Sequence, residues 1–230
     1  MVAGSLTDAR AVTRPLRCWA PRGVYTPQTD TGLLRRALCR ERITRDTDVL
    51  DLGTGSGMLA VEAARLGGRV TAVDISWWAV AVTWINALLN GQRLRVRHGD
   101  LTTAVPGGRR FDLVIANPPY VPAPGGAAPR GAARAWDAGT DGRLLLDRIC
   151  DAAPRVLRPT GTLLIVHSHL CGTGATLTRL TAAGLRARVV DRTWLPFGQV
   201  LRSRLDWLRE RGLTADGTTE ELVVIRAEPI

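Results

Sequence analysis

The chain has 230 residues, and its 31 basic against 21 acidic side chains give a formal charge of +10 carried by arginine alone. Without lysine, a Walker-type phosphate loop and a Schiff-base enzyme are excluded, since each requires that residue. No stretch approaches the roughly 20 apolar residues of a membrane helix, and the first residues lack the apolar run of a secretory signal, so a cytoplasmic protein is expected.

The four cysteines (Cys18, Cys39, Cys150, Cys171) form no C-x-x-C pair and share no zinc spacing with the three histidines, so no metal is assigned. The charge excess fits either an acidic or nucleic-acid partner or a solvated basic surface. A flexible segment is expected over 1–22, followed by a single domain over 23–230.

A helix is expected after Pro27, carrying Arg35, Arg36, Arg40, Arg42 and Arg45 as a row that is either solvated or docks an acidic partner. From residue 48 onward short apolar runs alternate with helical periods, the pattern of an α/β sheet with crossover helices. Strands are expected at 49–52, 69–73, 112–116 and 162–167, with helices at 56–66, 76–90 and 142–156. Residues 93–97 alternate arginine with apolar side chains, which suits a strand at a sheet edge. Trp77, Trp78 and Trp84 sit at helical spacing and read as core or partner contacts. The Pro-, Gly- and Ala-rich loop 118–138 is long enough to shape a binding site. Two further strands, near 189–194 and 221–225, flank a helix near 201–211, which predicts a terminal hairpin with an insertion. The fold class is therefore α/β: a single-domain Rossmann-like architecture, its sheet seven-stranded and mostly parallel with an antiparallel C-terminal hairpin.

Residues 49–57 read Val-Leu-Asp-Leu-Gly-Thr-Gly-Ser-Gly, a strand that ends on Asp51 and Leu52 and then places Gly53, Gly55 and Gly57 at alternate positions before a helix. Such a turn lets backbone approach a ligand closely. A dinucleotide fingerprint needs a further glycine at position 58, which is Met58, so a nicotinamide cofactor is disfavoured. The next strand ends on Asp74 and Ile75, where a carboxylate suits ribose hydroxyls. The one after ends on Asp100 and Leu101, where an acid suits the exocyclic amine of adenine. Singly each acid reads as a cap or turn residue; as an ordered set after one glycine loop they converge on the carboxyl edge of the sheet, where open α/β folds bind ligands.

The strand at 112–116 runs into Asn117-Pro118-Pro119-Tyr120. The prolines remove two donors and stiffen the turn, which leaves the Asn117 amide oxygen and the Pro118 carbonyl as adjacent acceptors for the two protons of an NH2 group. Tyr120 offers a ring to a planar acceptor. Methyl displacement from a cationic leaving group depends on positioning and desolvation, so no histidine or cysteine catalyst is required.

In this order the features resemble class I S-adenosylmethionine methyltransferases, and the chain resembles the HemK/PrmC-type glutamine amide methyltransferases, nearest their short archaeal and eukaryotic branch. Val24-Tyr25-Thr26-Pro27-Gln28-Thr29-Asp30-Thr31 is similar to the branch's V-Y-E-P-A-E-D-T segment, and residues 135–143 are similar to A-W-x-G-G-x-x-G-R. The resemblance implies cofactor contacts from Thr31, Asp51, Gly53, Gly55, Gly57, Asp74, Ile75, Asp100, Leu101 and Asn117. It implies that Asn117, Pro118, Pro119 and Tyr120 hold a protein glutamine, the G-G-Q glutamine of a translation release factor in known members, and that a small zinc-binding activator subunit is a partner. Thr26 and Thr29 replace two glutamates of the family pattern, Trp77 and Trp78 open a helix where smaller residues or proline are usual, and segment 195–217 is longer than in the short branch. Methylation of an exocyclic amino group in nucleic acid, or of a small-molecule amide or amine, is the alternative. Size opposes the nucleic-acid reading, since no separate target-recognition region is present.

Overall fold

The computed structural model describes residues 15–125, 133, 135–215 and 217–230. Seven strands form one sheet in the order β3-β2-β1-β4-β5-β7-β6: β1 (Asp48–Leu52), β2 (Arg69–Asp74), β3 (Arg95–His98), β4 (Phe111–Ala116), β5 (Leu157–Ser168), β6 (Leu185–Pro196) and β7 (Thr219–Pro229). Neighbours from β3 across to β5 are parallel, whereas β7 pairs antiparallel with both β5 and β6, which is the expected terminal hairpin. The intervening helices are α1 (Thr29–Leu38), α2 (Met58–Arg65), α3 (Trp77–Leu89), α4 (Leu144–Val156), α5 (Thr173–Ala182), α6 (Gln199–Ser203) and α7 (Leu205–Glu210).

Strand alternation sorts the core into two layers. Leu50, Leu52, Val114, Ala116, Leu163 and Ile165 face α4 and α5, with Leu146, Ile149, Cys150 and Ala153 opposite them. Val49, Leu113, Ile115, Leu164 and Val166 face the other way, onto Leu33, Leu34 and Leu38 of α1 and Leu59 and Ala63 of α2. A third small cluster, Leu170, Phe197, Leu201 and Leu208, anchors the insertion between β6 and β7.

Four departures from the sequence reading have physical causes. The arginine row does not lie on one helix: α1 ends at Leu38, and Thr44 and Thr47 close a turn on each other's backbone, which competes with helix continuation. Arg35 pairs with Glu62, and Arg36 and Arg40 pair with Asp191 of β6. Of the two readings of Trp77, Trp78 and Trp84, core is overturned: all three are exposed, Trp77 and Trp84 on the outer side of α3 and Trp78 at the cavity. The helix expected near 201–211 is two short helices, and α5, launched from the left-handed Gly172, had no expectation at all. Of the segment expected to be flexible, residues 1–14 lie outside the described residues. The next residues run along α3, where Asn90 and Asn86 each exchange paired hydrogen bonds with the backbone of Arg17 and Trp19, at 2.8–2.9 Å.

Candidate active site

The carboxyl ends of the parallel strands, the start of α1 and the start of the insertion enclose a cavity of about 1000 Å³. Of the residues expected there, Thr31, Asp51, Gly53, Gly55, Asp74, Ile75, Asp100, Leu101, Asn117, Pro118, Pro119 and Tyr120 line it together. Gly57 does not. A side chain at Gly57 would strike Thr83, so this glycine serves the packing of α2 on α3. Gly53 and Gly55 take left-handed φ of 69° and 57°, open to glycine at no steric penalty. Helix α3 braces their loop: Thr83 Oγ1 donates to the Gly55 carbonyl at 3.1 Å and Asn86 Nδ2 to the Ser56 carbonyl at 2.8 Å.

Asp51 accepts the Thr54 hydroxyl at 2.6 Å, and its burial, with Asp74 nearby, pushes its carboxyl up to about 7. Asp74 accepts the Gly55 and Ser76 amides, each at 2.9 Å, one on either oxygen. The Ile75 amide also bonds this carboxyl, so of its roughly four acceptor sites one is left for a ligand. Burial raises the Asp74 carboxyl and these amides oppose the rise. Asp100 is half-exposed and bound at 2.7 Å by Arg148, a pairing across 48 residues that local sequence does not reveal. Leu101 beside it is the non-glycine residue with positive φ among the described residues, at 47°, a strained conformation of the kind that collects at ligand sites.

At the other end, Asn117 Nδ2 donates to Thr31 Oγ1 at 3.2 Å, which leaves the amide oxygen as a free acceptor. Asp30, absent from the residues chosen by sequence, organises this end. It accepts Tyr25 Oη at 2.6 Å, Tyr120 Oη at 3.0 Å and the Thr31 amide at 2.5 Å. Its signal lay in the 24–31 segment, where Tyr25 and Asp30 stood unassigned. The Tyr120 hydroxyl is thereby engaged, and its ring is what remains for an acceptor. The Tyr120 carbonyl accepts the Cys171 thiol at 2.9 Å, and a Cβ on Gly142 would collide with both. Residues 135–143 thus back the Asn-Pro-Pro-Tyr turn: Val121 exchanges backbone bonds with Trp136 and Ala138, and Arg143 holds the Cys171 carbonyl and Asp147, each at 2.6 Å. Gly198, Gln199, Val200 and Leu201 of the insertion form part of the rim, and Arg204 ties them down by donating to the Pro122 carbonyl at 2.9 Å and Asp137 at 2.7 Å.

The buried acids fall into two groups. Asp48 is paired with Arg69 and Arg158, and Glu62 with Arg35 and Arg65. Asp30, Asp51 and Glu220 all line the cavity and have no ion pair among the described residues. A low-dielectric cavity with uncompensated carboxylates favours a cationic ligand.

Residues 18–128 match the family model of the methyltransferase small domain. The chain is 32% identical over 180 residues to a putative protein N5-glutamine methyltransferase of Methanocaldococcus jannaschii, covering 77% of this chain and 89% of that one. It is 39% identical over 153 residues to the release factor glutamine methyltransferase of Bordetella pertussis, covering 63% of this chain but only 56% of that longer protein. Among solved structures, the Encephalitozoon cuniculi Mtq2-Trm112 complex, which methylates the termination factor eRF1, superposes with a TM-score of 0.61 at 23% identity over 90% of this chain and 99% of that one. At that identity the likeness bears on fold.

Proposed function

The chain belongs to the HemK/PrmC-type protein N5-glutamine methyltransferase family, and on that premise we propose that it methylates the side-chain amide nitrogen of a protein glutamine, with the G-G-Q glutamine of a translation release factor as target. The observation that carries this reading is the Thr31–Asn117 hydrogen bond: it takes one N–H of the Asn117 amide, Tyr25 bonds the same side chain, and the amide oxygen is left as an acceptor on the turn that also carries the Pro118 carbonyl. Two acceptors on one rigid turn match the two N–H groups of a primary amide, and holding both fixes the nitrogen's orientation and weakens its conjugation with the carbonyl.

The residues present fit S-adenosylmethionine. The glycine loop gives close backbone approach, Asp74 keeps an acceptor site for a ribose hydroxyl, Asp100 and Leu101 border the adenine end, and Asp51, without an ion pair among the described residues, suits a cationic group. When bound, that cofactor supplies an electrophilic methyl group whose leaving group is a neutral thioether. Ionised Asp51 attracts the cofactor's positive charge, Tyr25 and Asp30 hold Tyr120 against the acceptor, and the turn's prolines keep backbone donors away from the nitrogen.

A small activator subunit is proposed as a second component. Its support is the unpartnered outer face of α3, where Trp77, Trp84 and Leu88 are each more than half exposed beside the open edge strand β3.

The test is transfer of radiolabel from S-adenosylmethionine to release factor of the same cell, with and without a candidate activator. Label is expected to require both Asn117 and the G-G-Q glutamine. Bound cofactor with an unlabelled factor defeats the target assignment and turns attention to nucleic acids and metabolites.

A further inference from the structure

We infer that the Glu220 carboxylate is a substrate-binding group, accepting a hydrogen bond from a main-chain N–H of the peptide that carries the glutamine. This rests on the protein-glutamine reading and adds to it a residue outside every recognised motif.

Glu220 breaks a pattern. Along β7, Glu220, Leu222 and Val224 share one face, and the last two are core residues packed toward α1. Where the next apolar residue belongs stands an acid only 6% exposed, in the wall of the cavity. Its Oε2 is buried and without a hydrogen-bond partner among the described residues. Ser168 offers the carboxyl its hydrogen bond, and the charged group that acts on it is Asp30, of like sign.

That state is unfavourable; Glu62 and Asp191 also have an oxygen without a hydrogen bond, but each of those acids lies against two arginines. Leaving a buried acceptor unsatisfied forfeits the hydration it had in the unfolded chain, and the penalty grows when the group is charged. Among the described residues, two or more arginines converge on each of the buried acids Asp48 and Glu62, both outside the cavity, yet none of them pairs with Glu220. Asp30, in the same wall, also lacks a cation but is saturated by two tyrosine hydroxyls and an amide. Of these two acids, Glu220 is the one that keeps an unpartnered oxygen.

Glu220 belongs to the acceptor end: the neighbouring Glu221 amide donates to His169 Nδ1 at 2.9 Å, two residues before Cys171, whose thiol donates to the Tyr120 carbonyl of the Asn-Pro-Pro-Tyr turn. Its company also selects the donor. The Asn117 and Pro118 oxygens take both N–H groups of the glutamine side chain, so the donor a glutamine residue still has is its main-chain N–H or that of a neighbour. A single neutral N–H satisfies a single oxygen, while a guanidinium would bury several further donors beside the apolar Val121, Val200 and Leu201 with nothing to accept them.

Glu220→Gln and Glu220→Met test this in the full-length protein, with release factor as acceptor. The methionine variant is expected to raise KM for the factor at least about tenfold, the glutamine variant by less because it retains an acceptor oxygen, with kcat within about threefold of wild type. Calorimetric affinity for S-adenosylmethionine should be unchanged, and Tm in the absence of acceptor should equal or exceed that of wild type, because an unsatisfied group has been removed. An unchanged KM in both variants overturns the inference, as does weakened cofactor affinity with KM intact. If wild type leaves the factor unlabelled, the target assignment fails instead, and the thermal measurement decides for Glu220. A Tm at or above wild type then supports a carboxyl held for a ligand, and a fall of several degrees in both variants shows a structural role and overturns it.

Discussion

The Asn117 side chain is held at one end and open at the other: its nitrogen donates to Thr31, and no bond to its oxygen is found among the described residues. On the proposed function, replacing it with alanine removes a preorganised acceptor for the reacting nitrogen. Asn117→Ala is expected to lower kcat by about 10²–10³-fold while cofactor affinity by calorimetry stays within a few-fold; retained turnover would place the recognition of the amide elsewhere. Asp51 carries a second prediction. Its folded-state value of about 7 lies above the ordinary 3.8, so the folded protein holds this proton where the unfolded chain has lost it. That contribution to stability is complete below about pH 4 and is lost as pH rises through about 7. A cationic cofactor favours the ionised form, so its affinity should rise with pH up to about 7 and then level. The increase in Tm on adding S-adenosylmethionine should therefore be larger at pH 8 than at pH 5.5. Asp51→Asn should remove that pH dependence, and a wild-type shift independent of pH would contradict the assigned role.

Among the elements, those carrying function were legible because their constraints are local. The glycines at 53 and 55 need their conformation wherever they occur, Asn-Pro-Pro has one rigid shape, and an alternating arginine run marks an edge strand. What escaped was non-local. Glu220 is one of two adjacent acids at a strand's start until β7 is placed against α1, Arg148 meets Asp100 only after α4 packs, and α5 is a short Thr- and Ala-rich segment with weak periodicity. The insertion was visible as extra length, but its fastening was not: Arg204 reaches back across 82 residues to Pro122 and across 67 to Asp137. This arginine joins the rim formed by α6 to the loop behind the acceptor turn. Arg204→Ala is expected to raise KM for the protein acceptor about tenfold and leave cofactor affinity unchanged, since breaking one partner of a part-buried pair strands Asp137. An equal loss in cofactor affinity would mean that the insertion supports the whole cleft.

At the scale of the molecule, the cleft is acid-lined while the chain as a whole carries +10, and the large apolar exposure gathers on one flank. Among the described residues, six of the ten large exposed hydrophobic ones lie on α3 or the turn before it: Trp77, Trp84, Leu88 and Leu89 on the flank, and Ile75 and Trp78 at its border with the cavity. Trp77 stacks on His98 of β3 at 4.0 Å and Trp78 meets Trp19 edge-on, so the flank is ordered by its own contacts. The buried side of the same helix holds the glycine loop through Thr83 and Asn86, so a protein seated on α3 would press on the cofactor end of the cleft through one rigid element. Trp84 is the residue to change, because it is 56% exposed and its removal disturbs neither ring pair. Trp84→Asp puts a charge at the centre of the apolar row, and as a surface substitution it should shift stability by only about 0.5 kcal/mol, with Tm nearly unchanged. If a small activator docks here, the variant should lose co-elution with it and lose the activator-dependent part of release factor methylation, while keeping the activity the isolated chain has. Co-elution at wild-type affinity would rule out this flank as the interface, and a large fall in Tm would show that Trp84 supports the fold.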